Sequence, residues 1–219
     1  MKIIKPKIII SKDELDKSKL LAIESYARTC YKSEAKSGSS NVFLRSIINN
    51  GHESVIEHEK VTVIFVVDRG VSNQIIRHRI ASYSQESTRY CNYSSDKFSN
   101  EITVISPCFY DINSGEYLIW KESCEASESA YLKLCQNSKA EEARSVLPNS
   151  LKTELVTTYN FREWRHFFKL RCSKKAHPQM RQVTIPLLLT FKKHFSVLFE
   201  DIDFDNDFLA KNYAKIILT

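Results

Sequence analysis

The 219-residue chain holds only four glycines, at positions 38, 51, 70 and 115. A dinucleotide fingerprint or a phosphate-cradling loop needs two or three glycines within about six residues, so that bare backbone can approach phosphate. These four are too scattered for either motif. If the chain binds a nucleotide, it must hold it with side chains.

The remaining composition is that of an ordinary globular protein, 42% hydrophobic and 26% charged. Thirty-two basic against 26 acidic residues give a net charge of +6, which suits an anionic ligand but falls short of a strongly nucleic-acid-binding composition. The charge is uneven. Seven Lys/Arg and one acid lie between Arg162 and Arg181, whereas five acids fall between Glu200 and Asp207. That acidic stretch reads as a solvated surface segment. Six cysteines show no CxxC spacing, the apolar run near the N-terminus is too short for a signal peptide, and no run approaches a membrane span. The expectation is a cytoplasmic protein with reduced thiols and no membrane contact.

A capping-box pattern at Ser11–Glu14 predicts a helix to about Tyr31, and Ser37–Ser40 a loop. A second helix from Asn41 should end at Asn50-Gly51, with Gly51 as a left-handed cap. Residues 60–68, KVTVIFVVD, are apolar on both faces from Val63 onward, the pattern of a strand inside a sheet. A short helix over 71–80, a polar loop from Ser82 to Ser95 and a strand over 101–105 follow. Helices are predicted over 116–137 and 139–146, and a strand over 153–159. Asn160–Glu163 repeats the capping logic before a helix to Cys172, and Pro178 starts a long helix kinked by Pro186. Strands separated by helices predict an α/β (α+β) class: a single domain over 1–219 with a central, mostly antiparallel sheet flanked by helices.

Three constellations could carry chemistry. Arg77-His78-Arg79 sits at a predicted helix C-terminus, where the macrodipole favours bases, and fans over most of the circumference. At least one of the three should face inward, beside a hydroxyl-rich loop closed by Arg89. That inventory suits a phosphate as well as it suits a solvated helix end. Gly51–His58 tempts a metal reading, but the histidines lie six apart and the zincin position holds Ile56. A capping role for Ser54 with Glu57 explains the same residues. In Asn160–Arg171, Trp164, Phe167, Phe168 and Arg171 share a helix face; the aromatics read as core, and a buried arginine needs a partner.

Arg77-His78-Arg79, seven residues, then Ser87-Thr88-Arg89-Tyr90 resembles the signature of the flavin-dependent thymidylate synthases. Asn50–Ser54 with Glu57-His58, Ala143–Pro148, Asn160–Arg162 and Leu170-Arg171 resemble that family's other segments in order and approximate spacing. The resemblance spans roughly residues 20–182. It implies a methyltransferase that makes dTMP from dUMP, with methylenetetrahydrofolate as carbon donor and FAD, reduced by NADPH, as hydride source. It also implies a homotetramer whose active sites are shared between α/β subunits. By match, Gln74, Arg77, Gln85, Glu86, Ser87, Thr88 and Arg89 would contact dUMP, with Arg144 reaching in from another subunit. Ser54, Arg77, His78, Arg79, Gln85, Asn160, Arg162 and His166 would hold FAD. Arg171 would sit at the uracil edge and favour ionisation of N3, and His52 resembles a histidine beside flavin and folate. No metal and no protein nucleophile are implied. The chain departs from the pattern at Ser84-Gln85-Glu86, where many members read Asn-Glu, so either Gln85 or Glu86 could face the nucleotide. It departs again at His166, Asn in other members, and around Lys174–His177. Two rivals stand beside this reading: a basic nucleic-acid-binding module using residues 162–181, and a metal-dependent phosphate-ester hydrolase using His52 and His58.

Overall fold

The computed structural model describes residues 1–32 and 40–219. Its frame is strand β3 (Lys60–Asp68), which pairs antiparallel with β2 (Lys7–Ile10) on one side and β6 (Lys152–Asn160) on the other. Two-sided pairing, with helices packed on the sheet, explains why its sequence does not alternate: Phe65, Val66 and Val67 are all buried. Strand β4 (Ala81–Gln85) adds antiparallel to β6, and β7 (Lys215–Leu218) adds parallel to β2, giving the order β4-β6-β3-β2-β7. The sheet is mostly antiparallel, as expected. A separate two-stranded parallel sheet joins β1 (Lys2–Ile4) to β5 (Thr103–Ile105).

Helices α1 (Ser18–Tyr31), α2 (Ser40–Asn49), α6 (Phe161–Arg171), α7 (Pro178–His194) and α8 (Ser196–Phe199) contribute apolar residues to the main core with the large sheet. Helix α4 (Gly115–Leu134) covers a smaller core with Ile102, Val104 and Leu151. The short α3 (Arg69–Ile75) follows β3 directly, and α5 (Ala140–Ala143) runs into a 3₁₀ turn at Arg144–Val146 before Pro148.

Several local expectations hold for the stated physical reasons. Gly51 takes φ +73° beyond α2, and its N–H bonds the Ile48 carbonyl. Asn160 caps α6 by accepting from the Glu163 N–H at 2.8 Å. Pro186 lies inside α7, and the Gln182 carbonyl it leaves without a helical partner accepts instead from the Ala214 N–H at 2.9 Å.

Others are corrected. Ser11 caps nothing with its side chain: a 3₁₀ turn at Lys12–Leu15 intervenes, and α1 starts only at Ser18, whose N–H is met by Asp16. Ser54 sits inside a 3₁₀ turn, Glu53–Glu57, and is not its cap. Helix α3 stops at Ile75, so Arg77-His78-Arg79 lies in the link to β4 rather than on a helix. Residues 82–85, expected as loop, belong with Ala81 to an edge strand that exposes Ser82 and Ser84 and half-buries Tyr83 and Gln85. The first ten residues form two strands in different sheets, divided at Lys5-Pro6. Of the expected Ser37–Ser40 loop, the first three residues lie outside the described residues and Ser40 opens α2.

Candidate active site

Immediately after α3, the chain turns so that Arg77 and Arg79 face solvent while His78 faces inward at 5% exposure. The expected division of the triplet is present, produced by a turn in which the His78 N–H bonds the Ile75 carbonyl at 3.1 Å. Tyr83 anchors the link: its hydroxyl donates to the His78 carbonyl at 2.6 Å and meets the Tyr159 hydroxyl at 2.7 Å. Burial raises both phenols above their ordinary range.

The His78 ring lies against α6. Its Nδ1 is 2.7 Å from Glu163 Oε1, and its Nε2 accepts from Arg171 Nε at 3.2 Å. Phe167 and His166 pack edge-on, with ring centroids at 4.9 and 5.4 Å. Burial holds the imidazole below its ordinary pKa against the pull of Glu163, and Arg171 and His166 add to the depression. Arg171 also donates from Nη2 to the Gln74 carbonyl at 3.0 Å, so the partners it requires are a histidine nitrogen and a backbone oxygen. Burial lowers its pKa as well. A guanidinium has five N–H donors, and these two bonds use two of them, leaving three.

Beside this relay opens a cleft of about 510 Å³ lined by Glu53, Glu57, Ile80, Asn160, Arg162, Glu163, His166 and Lys169. Its carboxylates are partnered: Glu57 with Arg162 at 2.5 Å, Glu53 with Arg165 at 3.0 Å and Lys169 at 3.9 Å. Arg77 and Arg79 make no ion pair among the described residues. A smaller recess of about 210 Å³ against α3 is lined by Asp68, Gly70, Val71, Gln74, Asn149, Ser150, His177 and Gln179.

Of the other expected site residues, His52 and Ser54 are exposed on the turn that leads to this cleft. Gln85 donates to Ser72 and Thr153 at 3.0 and 3.2 Å. Glu86 points elsewhere, accepting from Lys152 at 2.8 Å and Tyr93 at 3.0 Å. Thr88 accepts from Arg144 at 3.3 Å, and Arg89 pairs with Glu141, so these residues and half-buried Ser87 form a second group along the chain.

The sequence reading missed Arg165 and the pairing of the acidic stretch. Arg165, 2% exposed, bonds both Asp201 oxygens, Glu53 and the Leu198 carbonyl. Lys174 pairs with Asp207 and Arg181 with Asp205. Asp201, Asp205 and Asp207 are therefore counter-charges of the basic stretch, although the segment lies at the surface as expected, with only Asp205 buried among its acids. The missed signal was that complementarity between two stretches of opposite sign. It pairs three of the seven basic residues expected to form a nucleic-acid surface at 162–181.

The one group of His and carboxylate side chains close enough to hold a cation among the described residues is His78, Glu163 and His166. Both nitrogens of His78 are already engaged, one by a guanidinium donor, so the trio reads as a hydrogen-bond relay. His52 and His58 join no such group, and His58 packs on the Tyr26 ring.

The sequence model of the family described as thymidylate synthase complementing protein (Thy1) matches residues 14–196. The chain belongs to this family. A flavin-dependent thymidylate synthase of Geobacter sulfurreducens is 35% identical over 190 residues, covering 82% of this chain and 80% of that one. One from Corynebacterium aurimucosum is 31% identical, with 82% and 78% covered. Among solved structures, the UMP/dUMP methylase PolB of Streptomyces cacaoi bound with 5-Br dUMP shares the fold at TM-score 0.73 and 18% identity, covering 91% of this chain and 96% of that one. The same enzyme bound with 5-Br UMP gives 0.70 and 20%, with 91% and 95% covered. Among the described residues of this Thy1 protein, no helix is long and apolar enough to cross a membrane, and all six cysteines are unpaired.

Proposed function

We propose that this Thy1 protein is a flavin-dependent methyltransferase that converts dUMP to dTMP. Arg171 carries the reading. It is a half-buried guanidinium aimed by His78 and the Gln74 carbonyl, with three donors left for a ligand. A cation fixed there favours loss of the N3 proton from uracil and stabilises the charge that develops on the ring. Gln74 lies on α3 and Gln85 donates to Ser72 of the same helix, and we assign Gln85 rather than Glu86 to the nucleotide, because Glu86 is committed to Lys152 and Tyr93.

The residues present fit a flavin dinucleotide. The 510 Å³ cleft offers Asn160, Arg162, His166 and Lys169, its acids are neutralised, and Arg77 and Arg79, just before its lining residue Ile80 and without an ion pair among the described residues, supply forks for a pyrophosphate without glycine-rich backbone. Ser54 and His52 stand at its rim. When bound, FAD reduced by NADPH supplies the hydride, and methylenetetrahydrofolate the carbon. The protein's part is to bind, orient and exclude water.

Ser87, Thr88, Arg89 and Arg144 form a group apart from Arg171. We assign them to dUMP in a site completed by a second copy, within a cytoplasmic homotetramer of single-domain chains. The test is the visible spectrum of purified protein with FAD, before and after dUMP. Flavin bands that survive desalting and shift with dUMP are expected; colourless protein indifferent to dUMP would overturn the reading.

A further inference from the structure

Glu163 reads from sequence as a helix-capping acid, yet its side chain does no capping. Asn160 accepts from the Glu163 N–H, but the carboxylate does not return the bond, as a capping box would require. It turns inward instead, at 6% exposure, to His78 Nδ1. The tautomer of His78 follows from its other partner. Arginine carries only donors, so Nε2, which faces Arg171 Nε, must offer its lone pair. The ring proton must then sit on Nδ1, where Glu163 accepts it. Remove the acceptor and nothing keeps the proton there. Moved to Nε2, it would oppose the Arg171 N–H and leave the guanidinium held only by the Gln74 carbonyl.

We propose that Glu163 is a positioning residue for Arg171, acting through the imidazole of His78. A carboxylate fixes the ring's tautomer, the ring's lone pair fixes the guanidinium, and the guanidinium meets the substrate. The last step rests on the reading of Arg171 given above; the first two do not. His78 is enclosed so that few alternatives exist for it: Phe167 and His166 cover it from α6, Tyr159 lies across from β6 with ring centroids 6.1 Å apart, and Tyr83 holds its backbone.

The experiment has two arms on the full-length protein. In ¹⁵N-histidine-labelled, ligand-free protein, long-range ¹H–¹⁵N correlations report which nitrogen of His78 bears the proton. The expected result is protonated Nδ1 and lone-pair Nε2, with Glu163→Ala shifting the population toward Nε2–H. An Nε2–H tautomer in the unsubstituted protein, or an unchanged tautomer in Glu163→Ala, overturns the proposal whatever the enzyme does. The second arm is dTMP formation at saturating cofactors. Glu163→Ala should lower kcat by roughly tenfold to a hundredfold, the loss that a misplaced reacting group produces, with a smaller change in KM for dUMP. Glu163→Gln keeps an acceptor for Nδ1–H and the same volume, so it should restore most of kcat and also controls for folding. Equal losses in the two variants, or no loss in either, would overturn it. If the unsubstituted protein forms no dTMP, the functional reading fails while the tautomer arm still decides the relay.

Discussion

Asp68 ends β3 and opens α3, and 4% of it is exposed. Its Oδ1 accepts from the Val71 N–H at 2.7 Å and its Oδ2 from Gln179 Nε2 at 2.7 Å, tying α3 to the start of α7. Burial dominates these favourable bonds and raises the carboxyl from 3.8 to about 6. A raised acid has a definite sign in linkage. The fold favours the protonated form, so stability from this group is greatest below the unfolded value near 4 and is lost as pH rises through about 6. At about 1.4 kcal/mol per pKa unit, a shift of about two units costs the folded state about 3 kcal/mol at pH 8 and about half that at pH 5. Asp68→Asn removes the charge while keeping the acceptor for Val71, and Gln179 can turn its amide to meet the new NH₂.

Urea unfolding of the two proteins at pH 8 and pH 5 measures the difference directly. The Asn variant should be the more stable by about 3 kcal/mol at pH 8, with the gap narrowing by about half at pH 5. A variant less stable than its parent at pH 8, or a gap that ignores pH, would refute the claim that desolvation outweighs the cap.

Two further outcomes follow from the arginines. Arg165→Leu strips Glu53, Asp201 and the Leu198 carbonyl of a buried donor and should lower stability by about 3 kcal/mol, read from the urea midpoint. Adding Glu53→Gln and Asp201→Asn should recover part of it. Arg171→Ala should fold and keep its flavin absorption but lose dTMP formation by about 10²-fold or more, as when a preorganised donor is removed; normal turnover would end its proposed role.

What could be read from sequence was what local chemistry decides. Gly51 and Asn160 mark helix ends because only their own neighbours matter, and β3 announced itself because both its flanks are filled. The link from Arg77 to Arg79 was correct in outcome and wrong in geometry: one residue of three had to face inward, whether on a helix or in the turn that follows it. Strand β4 escaped notice because an edge strand needs apolar residues on neither its outer face nor its free side, and its inner positions are a tyrosine and a glutamine that bury hydrogen bonds. The N-terminal strands escaped because Pro6 splits one apolar run between two sheets. Arg165 and Glu163 were out of reach for a different reason. Each is defined by a partner far along the chain, Asp201 for the one and His78 for the other, and neither partner has a periodicity to betray it.

That long-range pairing also decides where the net charge of +6 can act. A chain without glycine-rich loops must bind anions through cationic side chains, and cations spread over a surface would attract any polyanion. Here the acidic stretch takes Arg165, Lys174 and Arg181 out of play, and Glu57 and Glu53 engage Arg162 and Lys169. Near His78, Arg77 and Arg79 make no ion pair among the described residues, and Arg171 keeps three donors. Opposite charge 36 residues along from Arg165 thus bears on the site as the cations within it do, because it neutralises basic side chains of the stretch that carries Arg171 and leaves that guanidinium its free donors.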